Sequence, residues 1–260
     1  MGLRLQTPPR PSGGLHRQGL GGGVHRGQAG EVGLEAVVLA AGRGSRLSPL
    51  TEEVPKPLLR LGDSSLLTHI CGTLRQAGVD RILVVAGYKW RLIQREVEGM
   101  RDVEVVVNPN WERGNGSSLL AVEPRLKGEV FVLSMADHLY PAELVSGALE
   151  AFQGLPLLVV DRSPRLLDMD DATKVQLGEG ETVAKLGKHL DHWDAVDTGV
   201  FVLPQWAFKH FNRESGELSG LMGGLIEKGF LKAYDATGLP WIDVDTPQDL
   251  ELAEEAGIWV

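Results

Sequence analysis

The feature that most constrains this chain is an alternation. Short continuous apolar runs, EAVVLAAG from Glu35, RILVVAG from Arg81, VEVVVN from Val103, EVFVLSMAD from Glu129 and LPLLVVD from Leu155, are separated by stretches with helical spacing. An unbroken apolar run predicts a strand covered on both faces. Between them, SSLLTHICGTLRQAGV follows a serine cap with Leu66, Leu67, Ile70, Cys71, Leu74 and Ala77 on one stripe, as an amphipathic helix requires. WRLIQREVEG, GSSLLAVEPRL and PAELVSGALEAF read as helices in the same way. Strand, helix, strand in succession predicts βαβ units, hence an α/β fold with a mostly parallel sheet flanked by helices.

Residues 162–200 break the pattern. ATKVQLG, TVAKLG and DTGVFVL are short and interrupted by polar residues, which predicts antiparallel strands in a small substrate-binding flap laid over the sheet edge. Beyond it the pattern predicts helices near 204–212 and 217–228, a strand at LKAYDA, and WIDVDTPQDLELAEEAG running into a last helix. Residues 1–33 are rich in Gly, Pro, Arg and His without a hydrophobic period, and read as a disordered extension to a single domain over residues 34–260. That extension lacks the apolar core of a signal peptide, and no run approaches the roughly 18 apolar residues of a membrane span, so a cytoplasmic location is expected. A net charge of −9 disfavours nucleic acid as a partner. Cys71 stands alone, so no internal disulfide can form, and its helical neighbours predict a buried thiol. The oligomeric state is left open, a homodimer included.

The first strand runs out into Leu39-Ala40-Ala41-Gly42-x-Gly44-Ser45-Arg46, and Lys56 follows between Pro55 and Pro57. Ligands of open parallel sheets bind where strands end and loops begin, and glycines there let backbone N–H groups approach a phosphate. The dinucleotide fingerprint G-x-G-x-x-G fails, because its third glycine would fall on Leu47, and no G-x-x-x-x-G-K-[ST] occurs. What remains is a fork-shaped cation, Arg46, and a compact one, Lys56, whose backbone the prolines restrict. Both suit a polyphosphate.

A polyphosphate site needs a divalent ion, and Mg²⁺ takes one or two carboxylates. Asp137 ends the fourth strand beside the same crevice. WIDVDTPQDL offers Asp243 and Asp245, which strand alternation would point the same way, although Asp245 can equally serve as cap of the last helix. His138 reads as a hydrogen-bonding neighbour of Asp137, since Mg²⁺ prefers oxygen. Asn115, Gly116 and Ser117 open a helix after the third strand, where they can face a base or ribose. The flap supplies Asp170, Asp171, Lys174, Lys185, Lys188 and the turn Asp197-Thr198-Gly199.

L-A-A-G-x-G-S-R followed by P-K-P-L resembles the signature of the nucleotidylyltransferases that join NTPs to sugar phosphates and related alcohol phosphates. SMADHLY, DDATKV, LGKHL and WDAVDTGVF narrow the resemblance to the CTP:inositol-1-phosphate cytidylyltransferase family, from about Leu34 to the C-terminus. It implies a Rossmann-like domain of the nucleotide-diphospho-sugar transferase type and transfer of CMP from CTP to L-myo-inositol 1-phosphate. The products would be CDP-inositol, for di-myo-inositol phosphate synthesis, and pyrophosphate. It implies Leu39, Ala40, Ala41, Gly42, Gly44, Ser45, Asn115, Gly116 and Ser117 on the nucleotide, and Arg46 and Lys56 in catalysis. Mg²⁺ would sit on Asp137 with Asp243 or Asp245, and Lys174, Lys188, Asp197, Thr198 and Gly199 would hold the acceptor. Several such proteins carry a fused membrane CDP-alcohol phosphotransferase domain; with this chain ending at Val260, that partner is expected as a separate protein. The rivals are a relative acting on mannose 1-phosphate, phosphocholine or glycerol phosphate, and a nucleotide sensor without chemistry.

Overall fold

The run EAVVLA forms a strand whose residues are all buried, as one covered on both faces must be. The computed structural model describes residues 33–165 and 169–257, and the disordered extension expected over residues 1–33 lies, apart from Gly33, outside the described residues. In chain order the strands are β1 (Glu35–Ala40), β2 (Arg60–Leu61), β3 (Ser64–Ser65), β4 (Arg81–Ala86), β5 (Val103–Val107), β6 (Val130–Met135) and β7 (His138–Leu139). They continue as β8 (Leu157–Asp161), β9 (Lys174–Leu177), β10 (Val183–Gly187), β11 (Ala195–Pro204), β12 (Lys232–Asp235) and β13 (Ile242–Asp243). The helices are α1 (Leu50–Glu53), α2 (Leu66–Gln76), α3 (Trp90–Glu96), α4 (Asn115–Val122), α5 (Ala142–Ala151), α6 (Leu218–Ile226) and α7 (Pro247–Ala256).

The main sheet has nine strands in the order β10-β9-β11-β6-β1-β4-β5, with β8 beside β11 and β12 beside β8. β4, β1, β6 and β5 are parallel, and β11 enters antiparallel to β6. From β1 the chain builds outward to β4 and β5, then returns through α4 to β6 on the opposite side of β1. That reversal opens a crevice at the carboxyl ends of β1 and β6.

Alternation along β1 feeds two cores. Ala36, Val38 and Ala40 join Ile70 and Leu74 of α2 and Leu144 of α5 on one face, while Val37 and Leu39 join Leu119 of α4 and Leu221 of α6 on the other. Each fully buried aliphatic side chain contributes roughly 1.5–3 kcal/mol, so the sheet is a stiff platform for the loops at its edge. α2 starts where the Ser65 hydroxyl accepts the Thr68 N–H at 3.1 Å, and Cys71 is fully buried on its inner stripe.

Two local expectations change. The antiparallel strands expected within 162–200 form, but Ala195 and Val196 pair with β9, so the hairpin β9–β10 prolongs the main sheet rather than lying over it. Ladder bonds satisfy backbone groups that a detached flap would leave to water. The helix expected near 204–212 is only a 3₁₀ turn, Gln205–Lys209. Its aromatic residues are weak helix formers, and ring packing of Phe208 against Phe131 and Phe211 holds the segment instead.

Candidate active site

The register of β1 and β6 sets Leu39 opposite Met135, so the two strands release Ala40-Ala41-Gly42 and Ala136-Asp137 side by side. Ala136 donates its N–H to the Leu39 carbonyl at 3.2 Å, and Tyr88 donates its own to Ala41 O at 2.9 Å. The loop then turns at Gly44, whose φ of 68° is left-handed and costs an L side chain about 1–2 kcal/mol. A Cβ at Gly44 would stand 2.6 Å from the Cβ of Lys56. Glycine is needed twice over here, for the turn and for the lysine stem passing beneath it. Thr51 Oγ1 donates to Gly44 O at 2.8 Å and ties the loop down.

A second device brings in the late carboxylates. β7 pairs antiparallel with β13, setting Asp243 across from His138, and Val244 N–H donates to Asp137 O at 3.0 Å. Residues a hundred positions apart thus meet through a two-stranded ribbon. Lys56 Nζ, almost wholly buried, lies 2.6 Å from Asp137 Oδ2, 2.6 Å from Asp245 Oδ1 and 3.8 Å from Asp243 Oδ1. Burial opposes its charge, but Asp137, Asp243 and Asp245 outweigh that and hold its pKa above the ordinary lysine range. Asp137 moves the other way: burial would raise it, yet Lys56 and His138 hold it well below the usual carboxylate range. His138 Nδ1 donates to Asp137 Oδ1 at 2.9 Å. Burial disfavours its proton, but Asp243, Asp137 and Asp197 raise it to about 9. Asp243 is pushed up to about 7 by burial, which His138 and Lys56 only partly offset.

The cations at the mouth form a chain. Arg46, about half exposed, binds Asp171 through Nη1 and Asp245 through Nη2 at 2.9 Å, and Lys188 Nζ holds the other Asp171 oxygen at 2.5 Å. Lys174 Nζ donates to the Lys188 carbonyl at 3.1 Å. Asp171 therefore joins the nucleotide-type loop to the hairpin, a role sequence reading did not assign to it.

A cleft of ≈ 230 Å³ is lined by Leu39, Gly42, Ser45, Lys56, Asn115 and Asp137, with Ala40, Gly44, Arg46 and Asp245 also on its wall. Other residues of the sequence reading sit elsewhere. Ser117 Oγ donates to Gly114 O at 2.8 Å, its N–H goes to Gly216 O at 3.2 Å, and a Cβ on Gly116 would meet that same carbonyl at 2.7 Å. Both pack the start of α4 against residues 216–217. Thr198 is fully buried and donates to Val159 O at 3.0 Å. Asp197 accepts the Gly199 N–H at 2.7 Å, and burial raises it to about 6. Gly199 has φ 77°, and a Cβ there would lie 2.6 Å from the His138 ring. Asp245 is not the cap of α7: Thr246 and Asp249 form a reciprocal capping box, which leaves both Asp245 oxygens for Lys56 and Arg46.

Among the described residues, the buried side-chain oxygen left without a hydrogen bond is Asp243 Oδ1. An orphaned carboxylate oxygen is costly unless a cation meets it. Asp137, His138 and Asp243 present ligand atoms within 4.8 Å of one another, so the residues fit a divalent ion. No helix among the described residues is long and apolar enough to cross a membrane.

Comparison with known proteins agrees with this geometry. A MobA-like NTP transferase domain matches residues 36–167. The chain is 39% identical over 233 residues to a bifunctional IPC transferase and DIPP synthase of Rubrobacter xylanophilus, covering 87% of this chain and 52% of that protein. It is 35% identical over 224 residues to the protein of the same name from Thermococcus kodakarensis, covering 84% and 49%. The chain thus spans about half the length of the curated relatives it matches. The solved inositol-1-phosphate CTP transferase from T. maritima superposes with a TM-score of 0.77 at 28% identity, over 86% of this chain and 97% of that one.

Proposed function

The chain belongs to the MobA-like NTP transferase family, and on that footing we propose that it transfers CMP from CTP to L-myo-inositol 1-phosphate, giving CDP-inositol and pyrophosphate. The observation that carries the reading is the meeting of Arg46, Lys56, Asp137 and Asp245 on one cleft at the β1–β6 crevice, with Asp243 3.8 Å from Lys56 Nζ. The choice of cytosine and inositol is supported by the names of the relatives and of the solved neighbour.

The acceptor phosphate, with a second pKa near 6, is already anionic at neutral pH and needs no general base. Its oxygen attacks the α-phosphorus in line, the new P–O bond forms, and the bond to the β-phosphate oxygen breaks with its electrons leaving on pyrophosphate. The obstacle is repulsion between two anions, so the protein's work is positioning and neutralisation. Arg46 and Lys56 take the β- and γ-phosphates, and Lys188 and Lys174 hold the acceptor. Asp137 and Asp243, with Asp245 beside them, would hold Mg²⁺, which would supply charge stabilisation to the reacting phosphates. A nucleotide sensor would not need carboxylates and a phosphate lysine in contact. The product is an activated alcohol of the kind a membrane CDP-alcohol phosphotransferase consumes, and the reaction is assigned to the cytoplasm, with a homodimer as one assembly.

The test is pyrophosphate release with Mg²⁺, each of CTP, UTP, ATP and GTP, and an acceptor panel of L-myo-inositol 1-phosphate, mannose 1-phosphate, phosphocholine and glycerol phosphate. Release confined to CTP with the inositol phosphate is expected. Release with another pair would discard the substrate and keep the chemistry; CTP binding without release from any pair would overturn the enzyme reading.

A further inference from the structure

The imidazole beside Asp137 is held more firmly than a hydrogen-bonding neighbour requires. His138 lies parallel to the Trp241 indole, with ring centroids 5.9 Å apart and planes 9° off parallel. Trp241 is itself anchored, its Nε1–H donating to the buried Asp161 Oδ2 at 2.9 Å. Gly199 presses on the imidazole so closely that a methyl group there would sit 2.6 Å from Cδ2. The ring is therefore fixed with Nδ1 facing two carboxylates, 2.9 Å from Asp137 Oδ1 and 3.7 Å from Asp243 Oδ1. The Asp243 atom in that triangle is the buried oxygen without a hydrogen bond.

An octahedral ion with bonds near 2.1 Å separates neighbouring ligands by about 3 Å and opposite ones by about 4.2 Å. The 2.9 Å edge is that of neighbouring ligands, while the 3.7 Å edge lies between the two values and asks Asp243 to move inward when an ion binds. We propose that His138 Nδ1 is a third protein ligand, with Asp137 and Asp243, and that this nitrogen makes the site prefer Mn²⁺ to Mg²⁺. Imidazole nitrogen is a poor donor for Mg²⁺ and a good one for first-row transition ions. The parallel to Trp241 and Asp161 is a supporting shell that fixes the ring's orientation, as metal-bound histidines generally have. When the ion arrives, the Nδ1 proton now shared with Asp137 leaves to solvent and the nitrogen lone pair takes its place. The inference rests on the divalent-ion role given to this site above.

The experiment uses the full chain stripped of metal, with Mn²⁺ titrated by electron paramagnetic resonance and Mg²⁺ as competitor. Pulsed spectra on histidine labelled with ¹⁵N read direct nitrogen coordination. Expected are a nitrogen coupling in the wild type that is absent in His138→Asn, and a preference for Mn²⁺ of about tenfold or more that shrinks to within about threefold in the variant. Bound Mn²⁺ without nitrogen coupling, or a preference unchanged by His138→Asn, would overturn the proposal. The wild-type coupling stands as a test even if the variant fails to fold. Pyrophosphate release with Mg²⁺ on the same preparation tests the transferase reading separately, so either can fail alone.

Discussion

Replacing Lys56 with methionine should cost stability and activity together, in a way that pH and metal can dissect. The ammonium touches Asp137 and Asp245 at 2.6 Å each and lies 3.8 Å from Asp243. Methionine keeps the buried stem and removes the charge. Breaking a fully buried pair costs about 3–5 kcal/mol, but these carboxylates are 16–22% exposed at the cleft, so about 2–3 kcal/mol is the fitting scale. For a domain of this size that is a fall in Tm of roughly 5–10 °C, read by calorimetry without metal. The sign with pH follows from the two shifts. Asp137 is depressed, so its contribution is present above the unfolded carboxylate value near 3.9 and is lost as pH falls through its folded value. Lys56 is raised, so its contribution is present below about 10.4 and is lost as pH rises through its folded value. The gap in Tm between the two proteins should be full from about pH 5 to 10 and should narrow below about pH 4. Divalent ion should stabilise the variant more than the wild type, since it replaces a missing cation, while pyrophosphate release falls by about 10²–10³. Equal Tm values with a flat pH profile would show that the carboxylates do not depend on Lys56, and the reasoning would fail.

Two further outcomes test the supports around that cluster. Gly44→Ala puts a methyl group at φ 68° and 2.6 Å from the Lys56 stem; Tm should drop by an amount near about 1–2 kcal/mol of stability, with kcat falling at least about tenfold because the ammonium is displaced. Asp197 is raised to about 6 by burial, so the folded state holds its proton between the unfolded value near 3.9 and 6, and stability is lost as pH rises through that window. Asp197→Asn should therefore match the wild type at pH 4 and exceed it by about 1–3 kcal/mol at pH 8 in urea titrations; a variant less stable at pH 8 than at pH 4, relative to wild type, would contradict the shift.

The sheet was legible because its information is local. Each apolar run reports its own burial, and the helical stripe of Leu66, Ile70 and Leu74 reports which face of α2 turns inward. Where the signal was weaker, the structure differs in physically sensible ways. ATKVQLG and TVAKLG carry alternation but nothing that says which strand they join, and pairing with β11 at its first two residues decided the matter. Nor does a run such as QWAFKHF announce that its rings will pack on one another instead of spacing out along a helix.

The site divides along the same line. Gly44 and Lys56 sit close in the chain, and glycines, arginine and prolines there point to a phosphate before any fold is known. Asp171 is different. Its two cations, Arg46 and Lys188, lie 125 and 17 residues away, and no local pattern marks a carboxylate as the strut between them. His138 shows the same limit from the other side. Its ring is placed by a strand pairing, a glycine on β11 and an indole hydrogen-bonded to β8, each remote in sequence from the others. The charge balance of the cluster follows from that convergence alone. Asp137, Asp243 and Asp245 meet Lys56 and the raised His138 in one place, and still one oxygen of Asp243 has no hydrogen bond. Lys56 and His138 lie 3.8 and 3.7 Å from that oxygen without hydrogen-bonding it, and the proposed divalent ion would supply the contact that neither resident cation makes.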